Sequence, residues 1–326
     1  MNTSSVIKVF AGSTGKVFAE RICKYLGSEP GKAKVITFSE GNTYVKVEET
    51  VRDKEVYLVQ SIGLHPNDEF TEILFWIDAF KRASAYSVTV VMPYFSYAKG
   101  DKKDEPRVSI RGRVCAECIE LAGADRVITM DLHSPQIQGF FKKPVDHLFA
   151  LPILCEYIKS LMIDDLIVVS PDSGFAKQAR RYAKYLGLPV AIGDKERDGH
   201  DENAKIIEIV GNVQGKNALI VDDFSISGGT LIDLADELKE RGAKRIYACL
   251  SHVLLNKKGV LRIENSIIEK VISTDSVYNP YIIGSEKIKI VSVAPLFAET
   301  INRIHYRESV SCLFDKVPVE VLEIHE

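Results

Sequence analysis

Tryptophan occurs once in these 326 residues, methionine four times and cysteine only six. The six cysteines are scattered in apolar surroundings along a long chain, which argues against a disulfide framework. Cys115 and Cys118 form a lone Cys-x-x-Cys with no second pair at metal-site spacing, inside a run over residues 113–121 with helical periodicity. They are expected to be helix-packing residues. No apolar stretch approaches the roughly 20 residues that cross a bilayer. The opening Met-Asn-Thr-Ser-Ser leads directly into Val-Ile-Lys-Val-Phe, without the apolar segment of a secretion signal. A cytoplasmic protein is expected. Neither charge dominates: 42 Lys and Arg stand against 45 Asp and Glu, a formal net charge of −3. With both signs interspersed, that balance gives no sign of a nucleic-acid surface or a polybasic membrane patch, so any basic site must be local. No segment is of low complexity.

What is present is alternation. Short β-branched or apolar runs at residues 6–10, 56–60, 88–92 and 127–130 alternate with amphipathic runs at 16–26 and 70–82. A second series follows, with strands expected at 166–170, 190–192, 218–221, 246–250 and 271–273 and helices at 176–186 and 231–241. This is the pattern of α/β domains, each a mainly parallel sheet flanked by helices. The two series look like copies. Val9-Phe10-Ala11-Gly12-Ser13-Thr14-Gly15 precedes a helix ending Lys24-Tyr25-Leu26-Gly27, and Val168-Val169-Ser170-Pro171-Asp172-Ser173-Gly174 precedes one ending Lys184-Tyr185-Leu186-Gly187. The expected domains are residues 1–148 and 149–326. The segment 308–314 is apolar enough to pack, against the first domain or another subunit.

Ligands of open α/β sheets sit beyond the carboxyl ends of the strands, where the unusual loops of this chain fall. The run from Ala218 to Thr230 reads as a buried strand, the acid pair Asp222 and Asp223, and a small-residue loop opening a helix. Ser225, Ser227, Gly228, Gly229 and Thr230 bring backbone N–H groups, hydroxyls and a helix N-terminus, which suit a phosphate. The two carboxylates repel a bare phosphate and suit sugar hydroxyls or magnesium. A sugar phosphate satisfies both halves. In the first copy the matching stretch, Ser61-Ile62-Gly63-Leu64-His65-Pro66, has no acid pair, and Pro66 lacks a donor. The ligand is therefore expected in the second copy.

Asp131 and His133 close a strand two residues apart, on one face if the strand alternation continues. With Asp172, which ends the equivalent strand of the second copy, His133 is a candidate for a shared magnesium site. A structural histidine and a plain helix cap by Asp172 or Ser173 are the bland alternatives. The run 193–203 is almost devoid of apolar side chains and is expected to be an exposed loop, whose Lys195 and Arg197 could close over transferring phosphates. The loop 93–111 mixes Tyr94, Tyr97 and lysines with Asp101 and Asp104, which fits a nucleoside triphosphate better than a polyanion groove.

The ordered set Asp101-Lys102-Lys103-Asp104, Met130-Asp131-Leu132-His133, Gln136-Ile137-Gln138-Gly139-Phe140-Phe141, Ser170-Pro171-Asp172, Lys195-Glu196-Arg197 and Val221-Asp222-Asp223 resembles the ribose-phosphate pyrophosphokinases from about residue 7 to residue 318. Type I phosphoribosyltransferases share only the motif from Asp222 to Thr230. The resemblance implies two tandem phosphoribosyltransferase-like (type I) domains and transfer of the diphosphoryl group of ATP to ribose 5-phosphate with Mg2+. It implies adenine contact by Phe38, with Glu40 and Asn42 beside it, ATP contact by Lys99 and Asp104, and magnesium at His133 and Asp172. It further implies transition-state stabilisation by Lys195 and Arg197, ribose 5-phosphate at Asp222, Asp223 and residues 225–230, and a homo-oligomer, dimer or hexamer. The chain departs from the family's usual residues in places. Glu40 and Asn42 stand for Asn and Glu, Lys99-Gly100 for Arg-Gln, Phe175 for Gly and Ile226 for a third acid. A weakly catalytic regulatory homologue and a phosphoribosyltransferase stay open as alternatives.

Overall fold

The computed structural model describes residues 6–195, 206–315 and 317–322. The chain divides into two units. The first comprises described residues up to 149 together with 276–278 and 293–321, and the second comprises 150–275, 279–292 and the chain end.

The first unit holds β1 (Ile7–Ala11), α1 (Lys16–Leu26), the hairpin β2 (Ala33–Thr37) and β3 (Thr43–Val47), β4 (Glu55–Val59), α2 (Pro66–Arg82), β5 (Ser87–Val91), α3 (Arg111–Ala122), β6 (Arg126–Met130) and β7 (Val145–Leu148). Its main sheet runs β1-β4-β5-β6-β7, parallel throughout. β4 and β5 are buried almost end to end, as strands covered on both faces must be. α2 turns Ile73, Trp76, Ile77 and Phe80 inward, the spacing of one helical face. The only tryptophan stacks on Phe80 with ring centres 5.4 Å apart and donates its Nε1–H to Glu72. Each such buried side chain contributes about 1.5–3 kcal/mol.

The second unit holds α4 (Leu151–Ser160), β8 (Leu166–Ser170), α5 (Ala176–Leu186), β9 (Val190–Lys195), β10 (Ile206–Val210), β11 (Asn217–Ser225), α6 (Gly229–Glu240), β12 (Ile246–Val253), α7 (Lys257–Glu264), β13 (Ile268–Thr274) and β14 (Ile288–Val291). Its sheet order is β10-β9-β8-β11-β12-β13-β14, parallel except for β9 with β10. The duplication read from the sequence reappears as topology. The order β8-β11-β12-β13-β14 repeats β1-β4-β5-β6-β7, with β9 and β10 added at the edge. The helices that follow the first strand of each copy end alike, in left-handed Gly27 and Gly187, a backbone conformation that glycine adopts without Cβ strain.

Three expectations need correction. Residues 293–321 belong with the first unit, because α8 (Ala294–His305) packs on α1, with Phe18 edge-on to Phe297 at 5.3 Å. Phe314 beyond it meets Phe149, so the apolar tail packs within this unit. The strand expected over 218–221 extends to Ser225, because pairing with β12 continues to Ser225 opposite Val253. The acid pair therefore lies inside the strand. Gly193, Asp194 and Lys195 continue β9 and do not start the exposed loop, since β10 pairs back as far as Lys195.

Candidate active site

In the second unit the site begins where β11 runs out. The amide of Asp223 donates to Asp222 Oδ1 and that of Phe224 to Asp223 Oδ1, both at 2.9 Å, which orients the two carboxylates along the strand end. Burial pushes the Asp222 carboxyl well above the usual range, and the charges of Asp223 and Asp172 push it further. A desolvated carboxylate beside two others calls for hydroxyl donors or a cation.

Beyond β11, Gly228 caps α6 with φ 74°, a left-handed turn that presents the helix start. Gly229 N–H reaches Ser227 Oγ at 3.4 Å, and Thr230 occupies the first turn of α6. Ser225, Ser227, Gly228, Gly229 and Thr230 are thus brought together with Asp222 and Asp223. Ile226, which stands where an acid was expected, exposes its side chain and uses its carbonyl to accept Asn256 N–H at 3.0 Å. Two supporting residues escaped the sequence reading. Asn256 caps α7 through Gly259 N–H at 2.8 Å, and a Cβ on Gly259 would come within 2.8 Å of the Ile226 carbonyl oxygen. Asn-x-x-Gly at a helix start was the available signal.

Asp172 leaves β8, and its Oδ1 accepts Phe175 N–H at 3.0 Å. The cap reading therefore holds for one oxygen of this carboxylate. Its charge still acts on Asp222. Lys195 ends β9, and Arg197 lies outside the described residues.

In the first unit, Phe38, Glu40 and Asn42 share the exposed tip of the β2–β3 hairpin. Phe38 N–H donates to the Asn42 carbonyl at 2.8 Å, and Gly41 turns the tip with φ 89°. Lys99 ends a short 3-10 helix over Ser96–Lys99, while Asp104 is exposed in the following loop. That loop is tied to the end of β6, because Ser134 Oγ donates to Asp101 Oδ2 at 2.6 Å. Asp101, not Asp104, makes the tie. His133 is exposed between buried Leu132 and Ser134, which removes the reading of a core histidine. The strand alternation expected for Asp131 and His133 fails, because Asp131 takes φ 40° and ends the extended backbone. His147 was not foreseen. It is buried, and its Nε2 accepts Leu132 N–H at 2.9 Å, holding the loop that carries His133.

The corresponding loops of the first copy, after β1 and after β4, are filled by the protein's own side chains. Ser13 N–H and Oγ both donate to Glu72, Thr14 N–H and Oγ1 both donate to Gln60 Oε1, and Gly63 N–H donates to Glu69. Burial raises the Glu69 carboxyl. These donors serve the protein itself, in keeping with a sugar-phosphate loop in the second copy and not in the first.

Among the described residues no group of three or more His, Cys, Asp or Glu is gathered as a ready metal centre. Burial pushes the Cys115 thiol up to about 12, so it fits packing on α3 and not thiolate chemistry. The oxygen donors Asp172, Asp222 and Asp223 do suit the hard ion magnesium in kind.

Comparison with known proteins identifies the family of the chain. The family described as the N-terminal domain of ribose phosphate pyrophosphokinase matches residues 7–123, and the phosphoribosyl synthetase-associated domain matches residues 200–315. The chain is 45% identical to the ribose-phosphate pyrophosphokinase of Oceanobacillus iheyensis, over 95% of this chain and 98% of that one. It belongs to the ribose-phosphate pyrophosphokinase family. The relative from Bacillus caldolyticus is 43% identical, over 95% of this chain and 98% of that one. The crystal structure of phosphoribosylpyrophosphate synthetase from Mycobacterium smegmatis superposes with a TM-score of 0.87 at 33% identity, covering 93% of this chain and all of that one. The two repeated sheets are thus the two phosphoribosyltransferase-like domains of a pyrophosphokinase.

Proposed function

We infer that this protein is a ribose-phosphate diphosphokinase, which converts ATP and ribose 5-phosphate to 5-phospho-α-D-ribose 1-diphosphate and AMP for nucleotide biosynthesis. The observation that carries this reading is the last part of β11: half-buried Asp222 and Asp223, each carboxylate held by the next backbone amide, followed by the left-handed Gly228 at the start of α6. Carboxylates there accept hydrogen bonds from the ribose hydroxyls, and the loop amides and hydroxyls donate to the oxygens of the 5-phosphate. The acceptor is thereby held by both of its ends.

The anomeric oxygen attacks the β-phosphorus of ATP in line. One bond forms between that oxygen and the β-phosphorus, the bond from the β-phosphorus to the α,β-bridging oxygen breaks, AMP departs and the anomeric proton is released. Little covalent work falls to the protein, so positioning and charge neutralisation carry the rate. We assign ATP contact to Phe38, Glu40, Asn42, Lys99 and Asp104, and stabilisation of the transferring group to Lys195 and Arg197. Magnesium, when bound, would neutralise phosphate charge; Asp172 is assigned as a candidate ligand in the second unit and His133 as one in the first. A cytoplasmic location is part of the proposal; no helix among the described residues is long and apolar enough to cross a membrane. A homo-oligomer, dimer or hexamer, is part of the same proposal.

The test is a coupled assay for AMP with ATP, ribose 5-phosphate and magnesium. AMP formation that depends on ribose 5-phosphate supports the reading. Diphosphate release from phosphoribosyl diphosphate and a nucleobase, without AMP, would replace it with a phosphoribosyltransferase.

A further inference from the structure

Position 100 is glycine where the family usually carries glutamine, and the structure shows what uses the space. A Cβ on Gly100 would lie 2.8 Å from Arg111 Nε and 2.9 Å from Arg111 Cβ, so the arginine side chain packs against the bare backbone of Gly100. The seat is fixed from below, since Gly112 N–H donates to the Gly100 carbonyl at 3.0 Å. Gly112 in turn allows the close approach, because a Cβ there would meet Ile137 Cδ1 at 2.6 Å and the Tyr97 carbonyl oxygen at 3.1 Å. The end of the 3-10 helix, Lys99-Gly100, is thus clamped to the first turn of α3 and presents Arg111 beside Lys99.

This arrangement disfavours α3 itself. Arg111 is the first residue of a helix whose cap, Ile110, makes no side-chain hydrogen bond and whose first turn has no acid. A cation there opposes the helix dipole, and local choices that work against their own element mark function more often than stability. Arg113 is balanced by Glu117, four residues on, at 3.3 Å. Among the described residues no carboxylate forms an ion pair with Arg111, whose side chain is exposed.

We propose that Arg111, seated over Gly100, is a nucleotide-binding residue that supplies the triphosphate of ATP with the planar guanidinium that Lys99 lacks. A lysine offers a point charge, whereas a guanidinium grips phosphate oxygens with two parallel N–H bonds. The missing side chain at position 100 and the arginine that occupies its space then act as one unit. This rests on the pyrophosphokinase reading and adds a contact to it.

The experiment compares Arg111→Ala, Arg111→Lys, Gly100→Ala and the double variant Arg111→Ala/Gly100→Ala with the full-length protein, in steady-state kinetics and in equilibrium binding of magnesium ATP. Arg111→Ala is expected to weaken ATP, in KM and in direct binding, by roughly tenfold or more, with the ribose 5-phosphate KM nearly unchanged. Arg111→Lys falls in between. Gly100→Ala displaces the guanidinium and weakens ATP while Arg111 is intact, yet adds nothing in the double variant. The melting temperature of Arg111→Ala stays level or rises, which separates a lost contact from a damaged fold. Unchanged ATP binding in Arg111→Ala, or an equal loss for ribose 5-phosphate, overturns the proposal. So does a Gly100→Ala variant that binds ATP normally. If the unaltered protein forms no AMP, the functional reading fails by itself, and the ATP-binding comparison still decides the role of Arg111.

Discussion

Asp222→Asn is expected to make the ligand-free protein more stable and less able to hold its sugar. Burial, and then the charge of Asp223, push the Asp222 carboxyl up. A carboxyl that is raised on folding binds its proton more tightly in the folded chain than in the unfolded one. Ionising it therefore costs stability. The cost is absent below the unfolded value of about 4, grows as pH climbs through the folded value, and is complete above it. An isosteric amide removes the charge at every pH. The gain at neutral pH is about 1 kcal/mol, the common yield of relieving strain at a binding site, or about 2–4 °C in melting temperature for a domain of this size. Ribose 5-phosphate at a hundredfold excess over its Kd stabilises the unaltered protein by about 2.7 kcal/mol, and the variant loses most of that increment. Thermal unfolding at pH 7 and pH 4, with and without ribose 5-phosphate, reads both effects. A lower melting temperature for Asp222→Asn at pH 7, a gap that persists at pH 4, or a full response to the sugar phosphate would refute the reasoning.

Other perturbations have outcomes of equal definition. Gly259→Ala pushes a methyl group toward the Ile226 carbonyl and is expected to raise the ribose 5-phosphate KM about tenfold with little change for ATP, measured by initial rates. Gly228→Ala forces a Cβ into the left-handed region at φ 74°; it is expected to cost about 1–2 kcal/mol in denaturant unfolding and to weaken the same substrate. His147→Ala leaves the Leu132 amide without its acceptor and is expected to cost about 1–3 kcal/mol, with a weaker magnesium response in the AMP assay. Lys195→Ala is expected to lower kcat by roughly 10²–10³ while ribose 5-phosphate affinity, measured by calorimetry, barely moves.

The repeated sheet could be read from the sequence because its strands are continuous apolar runs and its helices keep one buried face. The boundaries of α1, α5 and β8 fall where periodicity and the closing glycines put them. β11 was underestimated because acidic residues read as a strand's end, whereas pairing with β12 carries the strand through them. α8 was placed with the wrong unit, since its partners on α1 lie some 280 residues earlier and no local pattern announces that contact. At the site, the cluster from Asp222 to Thr230 was visible as chemistry in one stretch. Gly259 and His147 support loops that only folding brings to them.

The central claim is transfer of an intact diphosphoryl group to the anomeric oxygen, and isotope labelling tests it directly. Ribose 5-phosphate carrying 18O at the anomeric hydroxyl is incubated with the protein, ATP and magnesium, and the products are read by 31P NMR and mass spectrometry. The account predicts AMP free of label and a sugar 1-diphosphate that retains the label at the bridge between carbon and phosphorus. Label in AMP, or ADP with a singly phosphorylated sugar, would contradict it.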